Sequence, residues 1–279
     1  MQTVNQLMCA LKAEFSFVDT VWRGCTVRIE HRWISPERVD APLMVFLHEG
    51  LGSLSMWKDW PSRLCEALGC RGLVYSRPGY GRSTPRRSDE RWGMDFMHQQ
   101  AHEVLPALLR SLNVDTALDK PWLLGHSDGG SIALLYAARF SSSIAGAIVL
   151  APHIMVEDVA RLSIESARQA YLHSNLRQRL ARHHDEPDSA FWGWNHIWLD
   201  PLFKAWSIEA EIDSIRCPLF AVQGVDDEYG TLAQIRSIAQ RAPQTQLLEM
   251  PNCRHSPHFD QGPALIEAVA TFFSSHRIQ

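Results

Sequence analysis

Gly125-His126-Ser127-Asp128-Gly129 is the stretch that decides how this chain is read. It follows Pro121-Trp122-Leu123-Leu124 and precedes Gly130-Ser131-Ile132-Ala133-Leu134-Leu135-Tyr136, so an apolar strand turns sharply into a helix at Ser127. A serine hydroxyl is a weak nucleophile unless it is held clear of its neighbours and beside a base. A strand-to-helix elbow supplies the first condition, and glycines two residues before and after Ser127 keep side chains out of so tight a turn. The competing reading is a serine that merely caps a helix. The five letters alone do not decide between them; the groups elsewhere in the chain do.

Outward from the elbow, strand and helix patterns alternate. Strands are expected at Trp122–Leu124 and Ala147–Leu150, with a helix at Gly130–Arg139 between them. Upstream, Val18–Trp33 reads as a hairpin around Arg23-Gly24, and Pro42–Leu47 as an apolar strand ending at His48-Glu49-Gly50-Leu51-Gly52. A helix over about Met56–Leu68 and a strand at Gly72–Tyr75 follow. Met97, Ala101, Val104, Leu105, Leu108 and Leu112 recur with helical period, in a helix that Pro106 should bend. Residues 152–216 are helical in pattern, charged and rich in Trp, with no strand signal. Pro218–Gln223 resumes the strands, followed by a helix at Leu232–Arg241, a strand at Gln246–Met250 and a helix at Ala264–Phe273. Short strands too apolar to alternate, separated by helices, predict an α/β fold with a mostly parallel central sheet covered on both faces. A helical cap is inserted after its sixth strand, so residues 1–151 and 217–279 form the core and 152–216 the cap.

Composition narrows the function. A net charge of −4 over 279 residues gives no basic surface for nucleic acid. No apolar run is long enough to cross a bilayer. Met1-Gln2-Thr3-Val4-Asn5 lacks the layout of a secretory signal, and Cys9, Cys25, Cys65, Cys70, Cys217 and Cys253 are scattered, so reduced thiols in a cytoplasmic protein are expected. The 13 histidines, His183-His184 included, show no metal-ligand spacing, and neither metal nor cofactor is expected. Arg77-Pro78-Gly79-Tyr80-Gly81-Arg82-Ser83 matches neither phosphate-binding glycine pattern and reads as a structural loop.

In open α/β sheets the working groups gather at the carboxyl ends of strands. Ser127, His48-Glu49-Gly50, Asp226-Asp227-Glu228 and His255 all fall there. The order Ser, acid, His is that of one of the convergent catalytic triads. With Gly125–Gly129, His48–Gly52, Gly224-Val225-Asp226-Asp227 and Arg254-His255-Ser256-Pro257-His258, the chain resembles the α/β-hydrolase superfamily along nearly its whole length. Ser127-Asp128-Gly129-Gly130 and His48–Ser53 look most like lid-bearing esterases similar to valacyclovir hydrolase.

That resemblance implies Ser127 as nucleophile, His255 as base and an oxyanion hole built from the backbone N–H groups of Gly50 and Asp128. The family spacing G-x-x-D selects Asp227 as the acid. Neighbours on an extended segment point opposite ways, which keeps Asp226 as the alternative. The family's G-H-x-x-H pattern favours His255 over His258, with Arg254 standing where that pattern has glycine. Glu49 replaces the glycine usual after His48. It either sits beside the substrate or, the reading preferred here, points away while Gly50 makes the close approach; a re-registered loop would make Leu51 the donor. His48 reads as a loop tie and His126 as strand-end packing.

In the cap, Trp194 and Trp198 can share a helical face that Trp192 cannot. One of these faces is a candidate pocket wall, the alternative being glue between cap and core. Arg168, Arg177, Arg179 and Arg182 form a basic stretch that could attract an anion, although a solvated helix face is the simpler account. The expected activity is hydrolysis of a small carboxylic ester. Thioester, amide, lactone or carbon–carbon bond cleavage by the same triad are the alternatives, and a non-catalytic ligand receptor is the reading from another class. Monomer and homodimer are both left open.

Overall fold

The two-residue turn at Arg23 and Gly24 sets the sheet's first edge. Strand β1 (Ser16–Trp22) pairs antiparallel with β2 (Cys25–Ile34), Trp22 facing Cys25. Arg23 and Gly24 take φ of 51° and 72°, as a turn matching the twist of a hairpin requires. The computed structural model describes residues 15–276, so the N-terminal stretch with Cys9 lies outside it. The remaining strands are β3 (Leu43–Leu47), β4 (Arg71–Tyr75), β5 (Trp122–His126), β6 (Gly146–Leu150), β7 (Leu219–Gly224) and β8 (Thr245–Met250). They form one eight-stranded sheet in the order β1-β2-β4-β3-β5-β6-β7-β8. The β2–β4 pairing is antiparallel, and every pairing from β4 onward is parallel.

Every residue of β3, β5 and β6 is buried, because helices cover both faces. Alternate residues of β3 serve two cores: Leu43, Val45 and Leu47 pack on one side, Met44 and Phe46 on the other. Helix α1 (Trp60–Leu68) ends on Gly69 at φ 61°. Helices α2 (Phe96–Gln99) and α3 (Leu105–Ser111) are joined by a π-helical turn over Gln100–Val104. Pro106 therefore acts through a widened turn, in which Leu105 N–H reaches back to Gln100 C=O. Helix α4 (Asp128–Arg139) leaves the elbow.

The segment between β6 and β7 contains α5 (Asp158–His173), α6 (Leu176–Leu180), α7 (Pro187–Leu199) and α8 (Glu209–Ile212). Tyr171 of α5 stacks on Phe191 of α7 with ring centroids 3.7 Å apart. Arg161 donates to the carbonyls of Trp198, Leu199 and Asp200, supplying partners that the end of α7 otherwise lacks. His184 joins this helical segment to the loops after β3 and β4: Gly81 N–H donates to its Nδ1 at 2.9 Å, and its Nε2–H donates to Leu51 C=O at 3.0 Å. After this segment come α9 (Ala233–Arg241), α10 (Pro257–Asp260) and α11 (Gly262–Ser275). No helix among the described residues is long and apolar enough to cross a membrane.

Candidate active site

Ser127 occupies a backbone conformation that few side-chain-bearing residues adopt, φ 53° and ψ −120°. Such a position costs of order 1–3 kcal/mol and persists where the surroundings enforce it. Here Ser127 N–H is bonded to Leu150 C=O on β6 at 2.9 Å, and Ser127 C=O accepts Ser131 N–H at 3.0 Å. A Cβ at Gly125 would overlap the carbonyl oxygen of Gly129, and a Cβ at Gly129 would overlap that of Leu47. Both glycines are thus required by packing of backbone on backbone.

His255 follows β8 and meets the acid from the neighbouring strand. Its Nδ1–H donates to Asp227, 2.9 Å from Oδ1 and 3.0 Å from Oδ2. That bond leaves the Nε2 lone pair available to take a proton. Asp227 also accepts the Tyr229 N–H at 2.8 Å and the Gln223 amide at 3.1 Å. Burial works to raise its pKa, but the His255 bond and charge outweigh it and hold the carboxyl below the usual range. Asp226 is exposed, so the consecutive acids do diverge. The third acid has a use that its spacing did not signal: Glu228 accepts His255 N–H at 3.2 Å and pairs with Arg254 at 3.1 Å. Arg254 consequently points outward, and its replacement of glycine leaves the imidazole in place. His258 is buried against Trp57, Trp60 and His126.

The opposite wall is a buried polar network. His48 Nε2 accepts Arg77 N–H at 3.0 Å, which fixes its tautomer, and His48 Nδ1–H donates to Glu49 C=O at 2.7 Å. Burial, then the nearby Arg77 charge, drives the His48 pKa well below its ordinary value, so the ring is neutral. Arg77 is fully buried, and its guanidinium donates to Glu49 C=O at 2.9 Å. The Asp128 carboxyl is 1 % exposed, accepts Trp198 Nε1–H at 3.2 Å and lies 3.9 Å from Arg77. Burial pushes its pKa up to about 6, against the pull of Arg77 and Trp198. The sequence reading missed Arg77 because an arginine beside Pro-Gly-Tyr-Gly carries no sign of being drawn inward.

Ser127, His255, Gly50 and Asp128 line one cavity of about 180 Å³, together with Glu49, Leu51, Trp194 and Trp198. No hydrogen bond joins Ser127 to His255 among the described residues; they meet as neighbours on the cavity wall. Two sequence expectations need correction. Glu49 turns toward the site: Oε2 lies 3.6 Å from His126 Nδ1 in space that a Cβ at Gly52 would fill. Burial opposes ionisation of Glu49, but His126 and the histidines behind it hold its pKa below the carboxylate range. Trp192 is absent from the wall because two residues on a helix differ by more than half a turn. It stacks on His196 and borders two clefts on the outer side of α7. The basic stretch between β6 and β7 is partly neutralised, Arg177 pairing with Asp188 at 2.6 Å and Arg168 with Glu165 at 3.7 Å.

The chain belongs to the alpha/beta hydrolase family, whose model matches residues 44–268. Among solved structures it is similar to an enol-lactonase from Burkholderia xenovorans, at 21% identity and TM-score 0.71, over 94% of this chain and 100% of that one. A thermophilic esterase from Thermogutta terrifontis is similar at 18% identity and TM-score 0.70, over 95% and 100%. A meta-cleavage product hydrolase from Pseudomonas fluorescens is similar at 15% identity and TM-score 0.68, over 93% and 98%. At these identities the likeness is one of fold. A search of curated proteins finds no match.

Proposed function

We propose that this protein is a cofactor-independent serine hydrolase that cleaves a small carboxylic ester through an acyl-enzyme, with Ser127, His255 and Asp227 as its triad. The observation that carries the reading is the Asp227–His255 pair, with both carboxylate oxygens within 3.0 Å of Nδ1, facing the cavity that Ser127 also lines. Asp227 fixes the imidazole tautomer and stabilises the imidazolium. His255 Nε2 takes the Ser127 proton as the hydroxyl oxygen attacks the ester carbonyl. The tetrahedral oxyanion is met by the N–H groups of Gly50 and Asp128, the latter unpaired within its helix because it opens α4. His255 then gives its proton to the departing alcohol, and water clears the acyl group by the reverse sequence.

In this reading residues 152–216 cap a core formed by 1–151 and 217–279, and Trp194 and Trp198 bring the cap's wall to the substrate. A cavity of about 180 Å³ has the volume of roughly six waters, which favours a short acyl group. The test is a side-by-side panel of short p-nitrophenyl esters, thioesters, lactones and ring-fission ketones, with fluorophosphonate labelling of Ser127. Fastest turnover of a short ester together with labelling supports the proposal. Preference for a lactone, thioester or carbon–carbon substrate reassigns the substrate while keeping the triad. Failure of Ser127 to label defeats catalysis altogether and favours a receptor.

A further inference from the structure

Three donors converge on one carbonyl oxygen beside the site. Glu49 C=O accepts His48 Nδ1–H at 2.7 Å, the Arg77 guanidinium at 2.9 Å and Gly52 N–H at 3.0 Å. A carbonyl has two lone pairs, so this oxygen is saturated and its peptide plane is fixed from several sides. The Glu49–Gly50 bond is trans, as are the other described peptides. In a trans peptide the C=O and the next N–H point in opposite directions. Pinning the Glu49 oxygen toward Arg77 therefore turns the Gly50 N–H the other way. Gly50 lies on the cavity wall, in the space left between the Trp194 indole and Asp128 Oδ2.

Arg77 also approaches the second donor residue. The same terminal nitrogen that serves Glu49 lies 3.9 Å from Asp128 Oδ2, and the arginine's backbone N–H holds His48 at 3.0 Å. One side chain, fully buried, thus stands behind both residues whose N–H groups would meet an oxyanion. Tyr80 covers it, with the guanidinium carbon 4.7 Å from the ring centre.

We propose that Arg77 is a positioning residue for the oxyanion hole: it orients the Glu49–Gly50 peptide so that Gly50, and not Leu51, donates to the developing oxyanion. This rests on the serine-hydrolase reading above and deepens it. A group acting only on the oxyanion donor lowers kcat without changing substrate binding, because the donor is engaged in the transition state. Loss of an oxyanion donor outright typically costs ~10²–10³ in kcat. Loss of its positioning group, with His48 and Gly52 still in place, is expected to cost about tenfold to a hundredfold.

The experiment compares wild type, Arg77→Met, Arg77→Lys and Arg82→Met. Each is assayed for kcat and KM on a short p-nitrophenyl ester and for inhibition by an alkyl boronic acid, whose adduct with Ser127 is tetrahedral and anionic. The expected result is a kcat loss of that size in Arg77→Met, an unchanged KM, and a boronate Ki raised in proportion. Arg77→Lys keeps the charge but lacks the planar fork, and is expected to fall between Arg77→Met and wild type. Arg82→Met, on the same loop but exposed, should match wild type. Wild-type kcat in either Arg77 variant, a change confined to KM, or an unmoved boronate Ki overturns the proposal. Should Arg77→Met fail to fold, Arg77→Lys carries the test by the same readouts. A wild type that neither labels with fluorophosphonate nor turns over ester defeats the serine-hydrolase reading itself, and this inference with it.

Discussion

The loops after β7 and β8 hold the His255 ring by its Nδ1–H bond to Asp227 and by packing on Tyr229, His126 and His153, while its backbone N–H reaches Glu228 of the partly exposed Glu228–Arg254 pair. The loops after β3, β4 and β5 hold Gly50 and Asp128 through His48 and Arg77, both fully buried. The contrast follows from what each half would have to do. A general base needs one free nitrogen and room to pass a proton between two oxygens. An oxyanion hole works by being in place before charge develops, so rigidity is its contribution. One half is edged by exposed charges and the other is locked in the interior.

Substitutions can break that comparison, beginning with the most damaging. Ser127→Ala and His255→Ala should each lower ester turnover by ~10⁵ or more, with circular dichroism and melting temperature close to wild type. Either variant retaining a near-normal rate would remove that residue from the triad. Asp227→Asn should cost ~10³–10⁴ in kcat by losing the imidazole's tautomer, while exposed Asp226→Asn stays within about twofold. The reverse ranking would move the acid by one position. At the exposed edge, Glu228→Gln weakens the Arg254 pair and should change stability by less than about 1 kcal/mol and kcat by a few-fold at most.

The locked half also predicts a pH effect on stability. The Asp128 carboxyl has a folded pKa of about 6, above its ordinary value of 3.8. Between those values the folded state binds more protons than the unfolded one, so this group makes stability fall as pH rises through that window. Asp128→Asn should remove that falling contribution, so that the denaturation midpoint rises more steeply, or falls less, between about pH 4 and 6 than in wild type. An unchanged slope in that window would mean that Asp128 titrates without burial strain.

Much of this architecture was legible because it rests on local rules. The elbow announced itself through paired glycines, and the strands through runs such as Leu43–Leu47 that fit neither helical nor alternating periods. The Asp227–His255 pairing was reachable from family spacing, and the structure brings those side chains together. What escaped depended on contacts between distant segments. Glu49 was expected to point away, but its direction follows from the space at Gly52 and from His126, neither of which a linear pattern ranks. Helical period separates Trp192 from Trp194 and Trp198, but which of the two faces meets the cavity is decided by how the helix docks. Arg77 gave no warning, since its burial depends on the carbonyl of Glu49 and the carboxylate of Asp128 being nearby. Pro106 signalled a disturbance, but whether the helix bends or widens is decided by what packs on it.

His184 has a consequence for how this scaffold can be altered. It belongs to the helical segment between β6 and β7, yet its two ring nitrogens complete the hydrogen bonding of Gly81 and Leu51, on separate loops of the sheet. Burial lowers its pKa to about 4, so it serves both as a neutral ring with one donor and one acceptor. Grafting a foreign segment between β6 and β7 would remove that ring and leave an amide and a carbonyl of the recipient without these partners. A transplanted segment must bring a donor and an acceptor to the same spot, and a search for functional chimeras should select for that feature first.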